Sequence, residues 1–236
     1  MNITTFYTEL VELHLLISLW NIEVYTMKLY NIIPTVLTVL TVAALAAPAI
    51  GDAQPYEAGT VLLRLRAVEV VPDVSSTVSI GGKVSITDTT IPEADITYFL
   101  TDHWAVEAIA GSDKHAIYYN GTTKLANVWL LPPTVTVQYH FDQIGPIRPY
   151  LGAGPNFTIF YDRSVGPLGK LRTTDNWGFA LQAGADIPLT DDGQYFLNVD
   201  VKRLFLSTHA SFSASPVTAS VNINPWLIGT GVGIRF

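Results

Sequence analysis

Eight stretches of this chain alternate apolar and polar residues one by one, and beyond residue 53 no apolar run is long enough for a membrane-crossing helix. That combination constrains the fold most. Successive side chains on a strand point to opposite faces, so alternation builds one greasy face and one small or polar face. The clearest case runs from Trp177 to Ile187. Trp177, Phe179, Leu181, Ala183, Ala185 and Ile187 oppose Gly178, Ala180, Gln182, Gly184 and Asp186. Thr134–Phe141, Trp104–Gly111, Leu197–Val201 and Trp226–Phe236 repeat it, as do Gly59–Val71, Ala94–Leu100 and Arg148–Tyr161. Tilted strands of about 10 residues cross a bilayer, and single-chain bacterial barrels have an even strand number. The expected fold is all-β: an eight-stranded antiparallel transmembrane β-barrel of the outer membrane type.

The polarity of the faces separates this from a soluble barrel, which keeps its apolar side chains inside. Here the consistent face is apolar. The other carries Arg64, Arg66, Asp95, Glu107, Gln138, His140, Asn156, Gln182, Asp186, Asn198, Asp200, Lys202 and Arg235. Aromatics gather near strand ends (Trp104, Tyr139, Phe141, Tyr161, Trp177, Trp226, Phe236), as interfacial girdles do. Arg203 falls on the apolar face and reads as a snorkelling cation or a bulge. Connections alternate in length. Residues 101–103, 142–147 and 188–193 are short, whereas 72–92, 112–132, 162–175 and 207–220 are long. Short periplasmic turns and long external loops fit this parity.

Composition agrees. The 236 residues are 49% hydrophobic and only 14% charged, with no cysteine. Disulfide frameworks and thiolate metal sites are thereby excluded. The net charge of -7 opposes the basic footprint of a nucleic-acid binder. Part of the hydrophobicity sits upstream. Met27-Lys28, an apolar run from Ile32 to Leu45 and the small residues Ala46, Ala47, Ala49, Gly51 and Ala53 read as a signal peptide over residues 27–53. Residues 1–26 then read as an upstream extension and 54–236 as the barrel. Removing 1–53 leaves 12 basic and 16 acidic residues.

An eight-stranded barrel is nearly filled by its own side chains, which argues against a wide aqueous channel. Interior charges must pair, because a lone buried ion is costly. Arg64, Arg66, Lys202 and Arg235 against Asp95, Glu107, Asp186 and Asp200 are expected to plug the periplasmic half of the lumen. Above them, Val78, Ile80, Ile117, Tyr118, Trp129, Leu130, Leu168 and Phe212 are the expected lining of an external hydrophobic cup. Pro132-Pro133 withholds two N–H donors from the strand ladder, which suggests a lateral exit. Asn120-Gly121 is read first as a turn.

Several segments together resemble the outer membrane protein W (OmpW) family. They are Thr97–Glu107, Leu131-Pro-Pro-Thr134 with its strand to Tyr139, Arg148-Pro-Tyr-Leu-Gly-Ala-Gly154, Trp177–Asp186, Asn198–Lys202, Asn224-Pro-Trp226 and the terminal Gly231-Val-Gly-Ile-Arg-Phe236. The resemblance covers nearly all of the chain after residue 53. It implies an outer membrane barrel that admits small hydrophobic molecules. It implies partners in outer membrane lipid, lipopolysaccharide and the barrel-assembly machinery, the last reading Phe236 as a signal. The chain departs from the family at Lys202-Arg203, where some relatives carry an aromatic pair, so an aromatic gate is not expected there. The first external loop shows no matching pattern.

Two other classes compete. Catalysis would use the one dense polar loop set, Ser112-Asp-Lys-His115, as nucleophile and base. Such neighbours more often mark a solvated turn, so the chain reads as non-enzymatic. His103, His115, His140 and His209 lack metal-ligand spacing, and no cofactor is expected. A structural or adhesive barrel with no transport role is the alternative to passage of hydrophobic molecules.

Overall fold

The alternating segments form strands because β-branched and aromatic residues fill one side of each pleat. The structure, a computed structural model, describes residues 55–236. The expected extension (1–26) and signal segment (27–53) lie outside the described residues. Eight strands close into a ring: β1 (Val61–Val71), β4 (Thr89–Phe99), β5 (Trp104–Gly111), β8 (Thr134–His140), β9 (Arg148–Tyr161), β12 (Asn176–Pro188), β13 (Tyr195–Phe205) and β16 (Trp226–Arg235). They pair antiparallel in the cyclic order β1-β4-β5-β8-β9-β12-β13-β16 and back to β1. The last residue is held in the ring, since Phe236 N–H donates to the Val61 carbonyl at 2.9 Å. Closure leaves no edge in the barrel wall, as a spanning sheet requires.

The faces follow the alternation. Leu65 is 59% exposed and its neighbour Arg66 only 1%, so the apolar face is the outer one. Two aromatic girdles bound the outer belt. Trp104, Tyr139 and Phe141 pack edge to face near the short turns, each contact 5.0 Å between centroids. Near the opposite end Phe157 meets Trp177 at 4.9 Å and Trp129 stacks on Tyr161 at 6.1 Å. Arg203 snorkels rather than bulging. Its ladder partners run on in register, while its guanidinium reaches Asp73 at 2.7 Å and lies over Trp226 at 4.8 Å.

The long connections correct the expectation of loops. Among the described residues they fold mostly as strands β2 (Ser75–Val78), β3 (Val84–Ile86), β6 (Asp113–Tyr119), β7 (Thr123–Leu131), β10 (Val165–Gly166), β11 (Gly169–Thr173), β14 (Ser207–Phe212) and β15 (Ser215–Asn222). Three of these extend the wall through β9 in the order β9-β7-β6-β3, and five form a second sheet, β10-β11-β14-β15-β2. The Asn-Gly turn is where the sequence places it. Asn120 (φ 49°) and Gly121 (φ 75°) close the β6–β7 hairpin, as a primed turn requires. In this outer part the polarity inverts: Ile86, Leu125, Leu171 and Val221 turn inward, while Lys114, Lys124 and Arg172 are exposed.

Inside the ring, glycines make room for rings. A Cβ on Gly233 would lie 2.2 Å from the Phe196 ring, and one on Gly184 would lie 2.4 Å from Tyr150. Small and large residues thus alternate around a narrow interior. Gly233→Val should cost roughly 1–3 kcal/mol by overpacking. The expected result is a lower midpoint for heat-induced unfolding on a semi-native gel, with strand content at 25 °C unchanged by circular dichroism.

Candidate functional site: a tiered lumen

Residues of the inward face change character along each strand. On β1 the inward series runs Leu62, Arg64, Arg66, Val68, Val70. On β13 it runs Phe196, Asn198, Asp200, Lys202, Leu204. The ring brings equal levels together and so stacks three tiers.

The lowest tier is aromatic. Tyr56, Leu62, Phe99, Ala105 and Phe196 cluster there. Phe99 lies 4.6 Å from Tyr56 and 4.7 Å from His140, which stacks on Tyr150 at 4.9 Å.

The middle tier is ionic. Arg64 reaches Asp95 at 3.0 Å and Asp186 at 2.9 Å. Arg66 reaches Asp95 at 2.7 Å, Glu93 at 2.9 Å and Glu107 at 3.3 Å. Lys202 reaches Asp200 at 2.7 Å and Glu93 at 3.1 Å. Neutral donors fill the remaining lone pairs. Tyr150 Oη donates to Asp200 at 2.8 Å, Gln182 Nε2 to Asp200 at 2.7 Å and Asn198 Nδ2 to Asp186 at 2.8 Å. Seven of the eight charges expected in the plug meet here. Arg235 does not lie in this tier. It sits at the periplasmic rim with its guanidinium 5.8 Å from the Tyr56 ring centre, because it is the last inward position of β16 and the tier begins higher. Glu93 belongs to the network but not to the expected set. The period-2 signal pointed to it, two residues before Asp95, and Pro92 beside it obscured the start of the strand.

The upper tier is apolar. An inner chamber above Lys202 and Glu93 is lined by Val70, Ile91, Ile109, Val128, Leu130 and Leu204, and leaves about 40 Å³ of free space. An outer cup of about 220 Å³ follows, lined by residues that include Val78, Ile80, Ile117, Leu125, Leu168 and Phe212; Ile86 and Val128 border both. An apolar cavity of about 150 Å³ is enough to bind benzene. Five expected cup residues line the cup, and Leu130 lines the inner chamber. Tyr118 and Trp129 are corrections. Tyr118 falls between the inward Ile117 and Tyr119, and Trp129 stands on the outer wall against Tyr161 and beneath Lys114, whose Nζ is 5.3 Å from its ring. Alternation along β6 keeps Asp113, His115, Ile117 and Tyr119 on the lumen side and turns Tyr118 away, and Trp129 lies between the inward Val128 and Leu130 of β7, whose pairing with β6 shifts register at Ile117 and Tyr118.

Polar residues interrupt the upper tier: Thr134 and Thr158, and an ionisable pair on β6. Asp113 and His115 line the inner chamber, side by side on the inward face of β6. His115 Nε2 is 3.2 Å from Asp113 Oδ2, and Nδ1 is 2.6 Å from the Thr87 carbonyl oxygen. Both neighbours present oxygens, an arrangement that favours the doubly protonated ring. Burial opposes this charge, but the Asp113 hydrogen bond and carboxylate, the Thr87 carbonyl and Asp88 together hold the imidazole above its ordinary pKa. Sequence spacing did not single out this pair as a lumen feature. Ser112 is not joined to His115. Its hydroxyl contacts Tyr161 Oη at 2.5 Å and donates to the Leu130 carbonyl at 3.1 Å. The nucleophile–base arrangement is therefore not assembled.

Comparison with known proteins agrees with this architecture. The model of the OmpW family matches residues 57–236. Outer membrane protein W of Escherichia coli is 34% identical over 211 residues, covering 84% of this chain and 99% of that protein. The "dibenzothiophene metabolism operon protein PahQ" of Pseudomonas aeruginosa is 27% identical over 214 residues, covering 86% and 98%. The crystal structure of the outer membrane protein OprG from Pseudomonas aeruginosa superposes with a TM-score of 0.71 at 28% identity, covering 78% of this chain and 99% of that one.

Arg66→Met leaves its carboxylate partners undercompensated. It should destabilise the barrel by about 3–5 kcal/mol, read from urea unfolding in micelles. For His115, whose pKa is raised in the folded barrel, the contribution to the outer extension is complete below about pH 6.5 and is lost as pH climbs from there through the higher folded-state pKa. Amide exchange in β3, corrected for intrinsic rates, should be faster at pH 9 than at pH 6 in the wild type. His115→Phe should abolish the difference.

Proposed function

This chain belongs to the OmpW family of outer membrane barrels, and from that premise we propose that it passes small hydrophobic molecules across the outer membrane. The molecule enters the external cup, moves to the inner chamber and leaves sideways through the wall into the bilayer. One observation carries the reading: the apolar column ends on the ionic tier, while the wall beside the chamber lacks ladder bonds. Between β5 and β8 the pairing ends at Ile109↔Thr134, and between β6 and β7 it resumes at Asp113↔Leu130. Gly111 and Pro132 line the chamber at this break. Across the break the Ser112 hydroxyl donates to the Leu130 carbonyl at 3.1 Å. On its other side the Pro132-Pro133 segment is held to β9, with Phe157 N–H donating to the Pro133 carbonyl at 3.0 Å and Asn156 Nδ2 to the Pro132 and Pro133 carbonyls at 3.2 and 3.3 Å.

A downward path would carry an apolar solute through paired charges, whose separation costs several kcal/mol per ion. The lateral path crosses only side-chain hydrogen bonds, each worth about 1 kcal/mol net. The relative named for a dibenzothiophene metabolism operon supports a solute of fused aromatic character. A structural or adhesive barrel is the second reading. A hydroxyl-rich groove of about 470 Å³ on the outer sheet, lined by Thr77, Ser79, Arg172, His209, Thr218 and Ser220, favours it.

Uptake of a fused aromatic by a deletion strain carrying the protein decides between them. A cysteine pair at Gly111 and Pro132, once oxidised, should lower uptake several-fold, and reductant should restore it. Equal uptake with and without the protein would leave the structural reading standing.

A further inference from the structure

We infer that the inner chamber selects apolar molecules that carry one neutral hydrogen-bond donor, a hydroxyl or an N–H, and that Asp113 Oδ1 is the acceptor. This deepens the proposed passage of hydrophobic molecules and rests on it. Asp113 is 5% exposed and lines the chamber. Its Oδ2 faces His115, whereas its Oδ1 is buried with no hydrogen-bond partner among the described residues. A buried acceptor left without a donor is rare in folded proteins and costly, so such a group marks a place where a partner is to be supplied.

The surroundings define that partner. The chamber's donors are already engaged: both His115 nitrogens by Thr87 and Asp113, the Thr134 and Thr158 hydroxyls by the Pro132 carbonyl and Asn156 Oδ1, and Lys202 Nζ by Glu93 and Asp200. An acceptor-only group such as a ketone gains nothing here, and a carboxylate is repelled by Oδ1. The Asp113 carboxylate and the His115 imidazolium cancel, which removes the advantage an ammonium would have over a neutral donor. Size agrees. About 40 Å³ beside Asp113 admits a slim polar end, and about 220 Å³ in the adjoining cup admits a ring system. The site thus fits a phenol, alcohol or indole-like molecule with its body in the cup and its donor inward.

The test uses the whole barrel in detergent micelles with 2-naphthol and naphthalene as probes, each corrected for micelle partition. The wild type should bind 2-naphthol about tenfold more tightly, as expected for a hydrogen bond to a charged acceptor. Asp113→Leu should erase that preference, the two probes then binding within about twofold of each other. Asp113→Asn, whose amide oxygen still accepts, should retain part of it. Should the leucine variant fail to fold, the ¹⁵N shift of His115 Nε2 in the wild type serves instead. It should move with 2-naphthol and stay fixed with naphthalene. Equal affinities for both probes in the wild type, a preference that survives in Asp113→Leu, or a fixed His115 signal would each overturn the inference and leave hydrophobic passage intact. Failure of both probes to bind the wild type would overturn the inference and the proposed passage together.

Discussion

Ring closure is the constraint from which the rest of the structure follows. Inside a bilayer no water is available to an unpaired backbone N–H or C=O, so a spanning sheet must return to its first strand. Closing at eight strands leaves an interior about as wide as its own side chains. Whatever points inward must then fit, and whatever is charged must find a partner across the ring. Glycines opposite Phe196 and Tyr150 meet the first demand, and the Arg64, Arg66 and Lys202 network meets the second.

The ionic tier gives the lumen a direction. Below it lie packed rings, and above it an apolar column open to the cup. Charges that serve the fold fill the lower lumen and close it below that column. The break in pairing between Ile109↔Thr134 and Asp113↔Leu130 lies beside the chamber, and the Ser112 hydroxyl bridges it to the Leu130 carbonyl. Upper and lower parts of the wall also solve opposite problems. The belt turns its apolar residues to lipid, whereas the outer strands turn theirs inward and show lysine and arginine to water.

The barrel strands, their facing and their girdles were legible in the sequence because alternation is local and each apolar side chain reports the lipid it meets. The outer strands were harder to read. Their runs are short, their polarity is reversed, and turn residues such as Gly81-Gly82 and Asn120-Gly121 interrupt them. Tyr118 and Trp129 show how this matters: in a loop either could turn inward, but in a ladder the neighbours decide. Pro92 masks Glu93 in the sequence, and Asp113 with His115 reads there as part of a solvated turn, whereas β6 sets both in the wall of the chamber.

By itself, the sequence determined the class of fold, the lipid-facing side of each barrel strand and the presence of ions inside, because period and composition are properties of neighbouring residues. Only the tertiary structure decided which ions meet, where the lumen turns from charged to apolar, and that one carboxylate oxygen is left without a donor. Those outcomes depend on register around a closed ring. Arg64 and Asp186 are 122 residues apart in the chain and reach hydrogen-bonding distance only when β1 and β12 occupy the same level of the barrel.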